Sequence, residues 1–423
     1  MSHSSRSKAA WLGLLSLLAV TFASGCEDGS KIDGGDDSIT EVPHSSVKDQ
    51  STNNCWIYAT TGWVESMHLN ATGEELDLSE SYLTYWHWFD QIVSGWVEDG
   101  AVEEGGSWGQ AAELILRYGL VAEKDFIAVE ADEIFSKRQA KAVKAVNLAL
   151  KSGALRYGAS RRDPVLVRQV LDEAWQIKTT AKSWLDSTFG VDGSRTLDVD
   201  YQTTDVPAGS PVRKPSSFKA KLRNPATGRF LERTVVEALG TRRSDMNLEN
   251  RNGELAWQDV PYPKQRRARR EFWKRVQRAL HDKQPIVVNW MIDDNSFTAD
   301  GKYVDVPPRP GPQGGHMVLG FDYAVDNVPG HGSLEAGVLV TNQATLDAAL
   351  SDEAEVRLLR VKNSWSPTYH ALAAPAPGGY HDLYVKYLDG PMPICTMDAD
   401  GKPVLSTCEP GVPLESIVLP AGY

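Results

Sequence analysis

Apolar residues recur every three or four positions along three stretches near the start of the chain. Residues 56–69, 81–96 and 109–118 follow this spacing, which is typical of helices with one face in a core. Asp-Leu-Ser-Glu at 77–80 places a serine before the second stretch, where a helix N-cap is expected. The pattern therefore predicts three packed helices, the first beginning beside Cys55.

After residue 285 the pattern changes to short apolar runs bounded by Gly, Pro and Asp. Such runs are typical of β-strands. The predicted strands are 285–290, 316–323, 337–341, 357–363 and 381–387. The second half of the chain is therefore expected to form a sheet.

Between these parts, the chain is richer in Lys, Arg and Ala. Amphipathic helices are predicted within 132–187, strand-like pieces such as 229–239 follow, and another helix is predicted at 266–282. This order predicts an α+β fold with a helical lobe, a β-rich lobe and a cleft between them. The predicted boundaries are 44–125 for the helical lobe, 126–265 for a long, mostly helical insertion, and 266–423 for the β-rich lobe with a C-terminal extension.

The N-terminus has the pattern of an export signal. Arg6 and Lys8 precede an apolar run from Ala9 to Phe22, and Ala-Ser-Gly-Cys follows at 23–26. This end resembles the lipobox of bacterial lipoproteins, whose cysteine is lipidated after cleavage. We expect a signal peptide at 1–25, lipidation of Cys26, a flexible linker over 26–43, and a cell-envelope lipoprotein facing the periplasm or the surface. The alternative is an ordinary signal and a secreted protein.

Charge and motif content exclude several classes of function. The 423 residues carry a net charge of −12, so a nucleic-acid partner is not expected. The basic run at 264–270 is interpreted as a solvated helix face. The sequence has no metal-ligand spacing, serine-hydrolase elbow or phosphate-binding glycine loop, so neither a metal nor a cofactor is expected.

The four cysteines separate into three groups. Cys26 is the predicted lipid site, and Cys395 and Cys408 are expected to form a disulfide in an oxidising compartment, with two free thiols as the alternative. Cys55 has no partner left. At a helix start, unpaired N–H groups favour a thiolate, so Cys55 is the candidate nucleophile.

A base and an orienting group can be assigned to Cys55. Among nine histidines, His316 opens an apolar strand after two glycines, so its ring is expected to reach a cleft. The side-chain amide of Asn363 would orient that ring, and Trp365 would shield the hydrogen bond. Gln50 and the main-chain N–H of Cys55 are the predicted oxyanion donors.

The order Gln, Cys-Trp, His, Asn-Ser-Trp resembles the papain superfamily of cysteine peptidases (peptidase C1). The segments 81–86 and 104–108 are similar to its bleomycin hydrolase and aminopeptidase C branch. The resemblance covers 47 to about 126 and 278–388, and it implies a Cys-His-Asn peptidase acting on peptides or proteins. It also implies that Gly105 and Gly106 pair with the substrate backbone, and it leaves endopeptidase and aminopeptidase activity, and the oligomeric state, open.

Two spacings depart from the family. The segment from Gln50 to Cys55 is one residue shorter and lacks the usual glycines, which weakens the oxyanion assignment of Gln50. The 46 residues between His316 and Asn363 predict an additional hairpin or loop. Two alternatives are therefore kept: a catalytically silent binding lipoprotein of the same fold, and a thiol-dependent acyl transferase.

Overall fold

The computed structural model describes residues 39–40, 42–97, 100–197, 205–242, 248, 251–365 and 378–423. The predicted signal peptide, the lipidation site Cys26 and most of the predicted linker lie outside these residues. None of the described helices is both long and apolar enough to cross a membrane.

The helices of the described residues fall mainly in the first two thirds of the chain. They are α1 Cys55–Thr72, α2 Glu80–Ser94, α3 Trp108–Tyr118, α4 Glu123–Phe126, α5 Lys137–Lys151, α6 Gly158–Arg161, α7 Pro164–Ala174, α8 Thr179–Phe189, α9 Val235–Leu239, α10 Arg266–His281, α11 Gln343–Ala348 and α12 Val385–Leu388. Ser79 caps α2, because its side chain accepts a hydrogen bond from the N–H of Tyr82. The three predicted N-terminal helices are confirmed as α1, α2 and α3.

The strands are concentrated after residue 250. They are β1 Lys219–Arg223, β2 Phe230–Thr234, β3 Thr241–Arg242, β4 Arg251–Asn252, β5 Gln258–Pro261, β6 Ile286–Asp293, β7 Lys302–Tyr303, β8 Gln313–Val328, β9 Gly332–Leu334, β10 Glu355–Lys362, β11 Tyr380–Tyr384, β12 Met392–Ile394, β13 Glu409–Gly411 and β14 Leu414–Leu419. The main sheet has the order β5-β14-β6-β8-β10-β11-β7, with β9 paired to β8. The pairs in this sheet are antiparallel except β11 with β7.

Two clusters of buried apolar side chains form the cores, one among the helices and one around the sheet. Strand β8 lies between them: Met317 and Leu319 belong to the helical cluster, whereas Val318 belongs to the sheet cluster. Successive side chains of a strand point to opposite faces, so β8 contributes to both cores. The predicted α+β fold, with helical and β-rich parts, is confirmed.

The prediction of a strand at 337–341 is wrong, because the structure has no strand there. Gly337 has a φ of +82°, and Val338 and Leu339 are 53% and 43% exposed. An apolar run outside the core gains no burial by pairing, and a left-handed glycine interrupts extended backbone. Between His316 and Asn363 the structure instead has the short strand β9 and the helix α11. The fifth predicted strand, 381–387, ends at Tyr384 and continues as α12.

The basic run at 264–270 is only partly solvated. Arg269 forms an ion pair with Asp389, and Arg270 donates hydrogen bonds to the carbonyl of Ser351. The interpretation of the run as a solvated face is therefore wrong for these two arginines. It holds for the exposed side chains of Lys264, Arg266 and Arg267.

The insertion is helical only in its first half. Helices α5 to α8 cover 137–189, but after residue 205 the chain forms β1 to β4 and the short α9. Strand β5, which was not predicted as a strand, falls within the bounds predicted for the insertion, but it pairs with β14 at the edge of the main sheet.

Candidate active site

Cys55 is the first residue of α1 and is buried. The carbonyl of Asn54 accepts the N–H of Ile57, which closes the first turn of the helix. Burial raises the pKa of the Cys55 thiol to about 11, although main-chain hydrogen bonds from Met317, Trp56 and Cys55 itself act in the opposite direction. The bond from Met317 places the sulfur beside the residue that follows His316.

The ring of His316 is oriented by Asn363. Its Nε2 lies 2.7 Å from Oδ1 of Asn363, and the main-chain N–H of Ser364 donates to the same oxygen at 2.7 Å. Because Oδ1 only accepts, Nε2 must carry the proton and donate it. In the neutral ring, Nδ1 is then unprotonated and able to accept a proton.

Trp365 covers this hydrogen bond. Its ring stacks on His316 with centroids 4.8 Å apart and an interplanar angle of 27°. Burial lowers the pKa of His316 to about 4; the bond to Asn363 raises it, and His381 lowers it further. His381 also contacts the Trp365 ring, with centroids 5.7 Å apart. Sequence reasoning missed His381, because nothing in the pattern distinguished it from the other histidines.

The structure thus places the sulfur of Cys55 beside the main chain of Met317 in β8, and brings His316, Asn363 and Trp365 into contact. The main-chain N–H groups of Cys55 and Trp56 at the helix start lower the pKa of Cys55, as expected, but burial raises it by more. Desolvation outweighs the N–H groups, because the packing of β8 against α1 buries the thiol. Burial favours the neutral thiol and the neutral imidazole when each group is considered alone.

Gln50 is held next to Asn363 and Ser364. Its main-chain N–H donates to the carbonyl of Ser364 at 2.8 Å, and its side-chain oxygen accepts from the Ser364 hydroxyl. The side-chain Nε2 donates to the carbonyl of Thr52 at 2.9 Å. One N–H of the amide is therefore engaged within the shortened loop.

The two predicted substrate-binding glycines differ in surroundings. A Cβ on Gly106 would lie 2.4 Å from the indole of Trp56, so the close approach of that ring requires glycine. A Cβ on Gly105 would have no heavy atom within 4 Å. Trp56 also donates its indole N–H to the carbonyl of Glu104 at 2.9 Å, which fixes this turn beside the nucleophile.

A cavity of about 850 Å³ opens next to this centre. Gln50 and Trp365 line it, together with Asn53 and Glu104. Its other walls include Phe297 and Tyr303 from the β-rich part, and Phe135, Ala140, Val143 and Lys144 from the insertion. The insertion therefore forms part of the candidate substrate cleft.

Gln139 joins the insertion to the nucleophile loop. The buried side chain accepts a hydrogen bond from Asn54 at 3.0 Å and donates to Ser81 at 3.0 Å and to the hydroxyl of Tyr58 at 3.2 Å. Sequence reasoning missed this residue, since its partners are more than 50 positions away in the chain.

A group of charged side chains lies behind Asn363, which the sequence pattern did not predict: Glu80 is buried, and Lys48 and Lys362 are half-buried. Lys48 Nζ lies 2.9 Å from Glu80 and 2.8 Å from Asp77, and Lys362 Nζ donates to Ser45 at 2.7 Å. Burial lowers the pKa of Lys362 to about 8. A cavity of about 20 Å³ separates these groups from Asn363 and Ser364, both of which line it.

The two C-terminal cysteines are joined in a disulfide with Cα atoms 4.0 Å apart. Gln313, in the strand that carries His316, accepts the N–H of Cys395 at 2.9 Å. The C-terminal Tyr423 donates its hydroxyl to Asp282, and its ring lies under Arg223. Residues 419–423 do not line the 850 Å³ cavity.

Among the described residues, no group of three or more His, Cys, Asp or Glu side chains is arranged to hold a metal ion. His68 and His87 are buried: His68 accepts the N–H of Lys219 at 2.9 Å, and His87 lies 2.7 Å from Gln91. Neither contacts the Cys55 centre through a described hydrogen bond.

Comparison with known proteins points to cysteine proteinases. The chain is 40% identical over 83 residues to cysteine proteinase 15A of Pisum sativum. This match covers 19% of the chain and 22% of the plant protein, so the chain spans about a fifth of that relative. No protein-family profile matches the chain.

Solved structures similar to this chain share little sequence with it. Xylellain, a cysteine protease from Xylella fastidiosa, is 12% identical, with 88% of this chain and 81% of that chain covered and a TM-score of 0.33. PepW from Lactobacillus rhamnosis HN001 is 10% identical, with 92% and 82% covered and a TM-score of 0.37. Digestive procathepsin L 3 of Tenebrio molitor is 13% identical, with 95% and 72% covered and a TM-score of 0.30. The sequence match shows that 83 residues of the chain are similar to part of a cysteine proteinase.

Proposed function

We propose that this chain, which resembles the papain-like cysteine peptidases, is itself a cysteine peptidase that hydrolyses peptide bonds through Cys55, His316 and Asn363. The observation that carries the proposal is the 2.7 Å hydrogen bond from His316 Nε2 to Asn363, shielded by Trp365. This bond leaves Nδ1 to accept a proton, and the sulfur of Cys55 lies beside the same strand.

In the proposed reaction, the proton of the Cys55 thiol moves to Nδ1 of His316. The thiolate attacks the peptide carbonyl carbon, and a C–S bond forms. His316 gives its proton to the leaving amine as the C–N bond breaks, and water then hydrolyses the thioester with His316 as general base. Burial disfavours each charge alone, but the thiolate and the imidazolium form together and attract each other, which offsets part of this cost.

The carbonyl oxygen becomes negatively charged in the tetrahedral intermediate and needs donors. The main-chain N–H of Cys55 at the start of α1 is one candidate. The Gln50 amide offers the other, since only one of its two N–H bonds is used for Thr52. Gly105 leaves an open approach to the centre, as extended substrate backbone requires.

The test compares wild type with Cys55→Ala and with Ser187→Ala, a matched control on the exposed surface of α8. Each protein is assayed with internally quenched peptides and with a thiol-reactive epoxide. We expect Cys55→Ala to lose kcat by at least about a thousandfold and to lose labelling, while Ser187→Ala behaves as wild type. Hydrolysis by Cys55→Ala at the wild-type rate would refute the nucleophile assignment.

A second candidate is a catalytically silent binding protein of the same fold. Burial raises the pKa of Cys55 to about 11 and lowers that of His316 to about 4, and both directions favour uncharged groups. The pH dependence of alkylation distinguishes the two candidates. For a silent site, the alkylation rate of Cys55, mapped by mass spectrometry, keeps rising towards pH 11; for an enzyme, it levels off well below the unperturbed thiol pKa of about 8.5.

We also propose that the protein is an exported lipoprotein of the cell envelope, anchored through Cys26. The support is the basic and apolar pattern of residues 6–26 and the disulfide between Cys395 and Cys408, which suits an oxidising compartment. Metabolic labelling with a fatty acid, compared between wild type and Cys26→Ser, tests this placement. Equal incorporation into both proteins would contradict lipidation at Cys26.

A further inference from the structure

The start of the insertion contains a run of positive charge that acidic residues flank only at its two ends, with Asp132 and Glu133 before it and Asp163 after it. Residues 137–162 contain eight Lys or Arg residues and no Asp or Glu, although the whole chain has a net charge of −12. The eight are Lys137, Arg138, Lys141, Lys144, Lys151, Arg156, Arg161 and Arg162. This concentration makes the surface of α5 unlike the rest of the protein.

Four of these residues form a lysine stripe along α5: Lys137, Lys141, Lys144 and Lys151. Their spacings of four, three and seven residues place them on one side of the helix. All four are exposed, whereas the opposite side of α5 is buried in the core. At 1.5 Å per residue, the stripe is about 21 Å long.

The stripe has no ion-pair partner among the described residues. Like charges four positions apart, as in Lys137 and Lys141, destabilise a helix. The basic helix α10 differs, because Arg269 and Lys274 form ion pairs with Asp389 and Asp352. An anionic ligand on the lysine stripe would therefore relieve a repulsion that no ion pair among the described residues offsets.

The middle of the stripe borders the candidate substrate cleft. Lys144 lines the 850 Å³ cavity together with Gln50 and Trp365. Lys137 and Lys141 line an adjoining cavity of about 250 Å³, and Phe135 lines both cavities. A polypeptide held at Cys55 that leaves the cleft past Phe135 therefore runs onto the stripe.

We propose that the lysine stripe of α5 binds an acidic segment of the polypeptide substrate, away from the bond that is cleaved. This proposal rests on the proposed peptidase function. Asp49, Glu104 and Asp294 line the cavity near the bond, and Glu130 and Glu133 line the adjoining one, so acidic residues are favoured only along the exposed lysine face of α5. An extended chain advances about 3.3 Å per residue, so about six residues cover the stripe. Continuity with the cleft favours a polypeptide over an anionic membrane surface as the ligand.

The experiment uses quenched peptides with one common cleavable core and an extension of six glutamates or six glutamines at either end. The proteins are wild type, the stripe variant Lys137→Gln, Lys141→Gln, Lys144→Gln, and the control variant Lys264→Gln, Arg266→Gln, Arg267→Gln. Both variants remove three exposed positive charges, and glutamine has a helix propensity similar to that of lysine.

We expect the acidic extension at one end to raise kcat/KM about tenfold over the neutral extension at low salt, with less advantage at high salt. The ratio of kcat/KM for the glutamate-extended peptide to kcat/KM for the glutamine-extended peptide should fall to near one in the stripe variant. The control variant should keep the wild-type ratio. If the neutral peptides are cleaved but the ratio is near one in wild type, or is the same in all three proteins, the lysine stripe does not bind substrate. The peptidase proposal would survive that result.

Binding to a catalytically dead protein separates the two proposals further. Fluorescence anisotropy of a labelled glutamate-extended peptide with Cys55→Ala, with and without the stripe substitutions, needs no hydrolysis. Weaker binding to the substituted protein supports the stripe even if no peptide is cleaved. If the stripe substitutions instead abolish only cosedimentation with phosphatidylglycerol vesicles, the surface binds membranes and the proposal is overturned.

Discussion

The side-chain oxygen of Gln139 accepts a hydrogen bond from the amide of Asn54 at 3.0 Å, although Gln139 belongs to the insertion and Asn54 precedes the candidate nucleophile. The same glutamine donates to Ser81 on α2 and to Tyr58 on α1. Because the side chain is buried, these bonds are made in a low-dielectric environment, where an unsatisfied group is costly. Helix α5 is therefore a fixed wall of the cleft.

Replacing Gln139 by leucine should destabilise the fold and disturb the site. The change leaves buried polar groups of Ser81 and Asn54 without this partner, which costs about 1–3 kcal/mol of unfolding free energy. We expect kcat to fall as well, since the loop before Cys55 loses a constraint. Chemical denaturation and peptide hydrolysis measure the two effects. The exposed Gln169→Leu serves as control and should change stability by less than about 0.5 kcal/mol; an equal loss in both variants would contradict the assigned role.

Gly106 should not tolerate a side chain. In Gly106→Ala, the new Cβ would lie 2.4 Å from the Trp56 indole, so the ring beside Cys55 must move. Overpacking of this kind costs about 1–3 kcal/mol, and we expect loss of both stability and hydrolysis. Gly105→Ala places its Cβ in open space and should retain wild-type unfolding free energy. A Gly106→Ala protein as stable as Gly105→Ala would show that the Trp56 contact is not restrictive.

Much of the fold and the centre could be predicted because it depends on local pattern and residue order. Helical spacing located α1 and α3, and the order of Cys55, His316, Asn363 and Trp365 anticipated the contacts around His316. The direction of the Cys55 pKa shift could not be predicted in this way. A helix start is visible in sequence, but the burial of the thiol under β8 depends on tertiary packing.

Other features could not be predicted from the sequence because they also depend on tertiary packing. The segment 337–341 has the apolar composition of a strand. Val338 and Leu339 are exposed, however, so pairing this segment with the sheet would bury no apolar surface. The ion pair of Lys48 with the buried Glu80 joins residues 32 positions apart, and no spacing in the sequence indicates that Glu80 is buried. Charged side chains are usually solvated, so their burial becomes evident only once the elements are packed.

The charged side chains behind Asn363 should be sensitive to removal of one partner. Lys48→Met leaves the buried carboxylate of Glu80 without its ammonium, which is expected to cost about 3–5 kcal/mol of unfolding free energy. Lys386→Met breaks the exposed pair with Asp305 and should cost less than about 1 kcal/mol. Chemical denaturation at neutral pH compares them. Similar losses for the two variants would show that burial does not distinguish the pairs.

Buried histidines should make the fold sensitive to mild acid. Burial lowers the pKa of His316, His87 and His281 to about 4, from an unfolded value of about 6.5. Between these values the unfolded chain binds protons that the folded chain does not, so stability falls as pH decreases from about 6.5 to 4. Each histidine contributes a loss of about 2 kcal/mol between pH 7 and pH 5. In His281→Gln, the loss of unfolding free energy between pH 7 and pH 5 should be about 2 kcal/mol smaller than in wild type. His331 is exposed, so His331→Gln should lose as much as wild type. Denaturation curves at the two pH values give the comparison, and an unchanged pH dependence in His281→Gln would mean that His281 is protonated in the folded state.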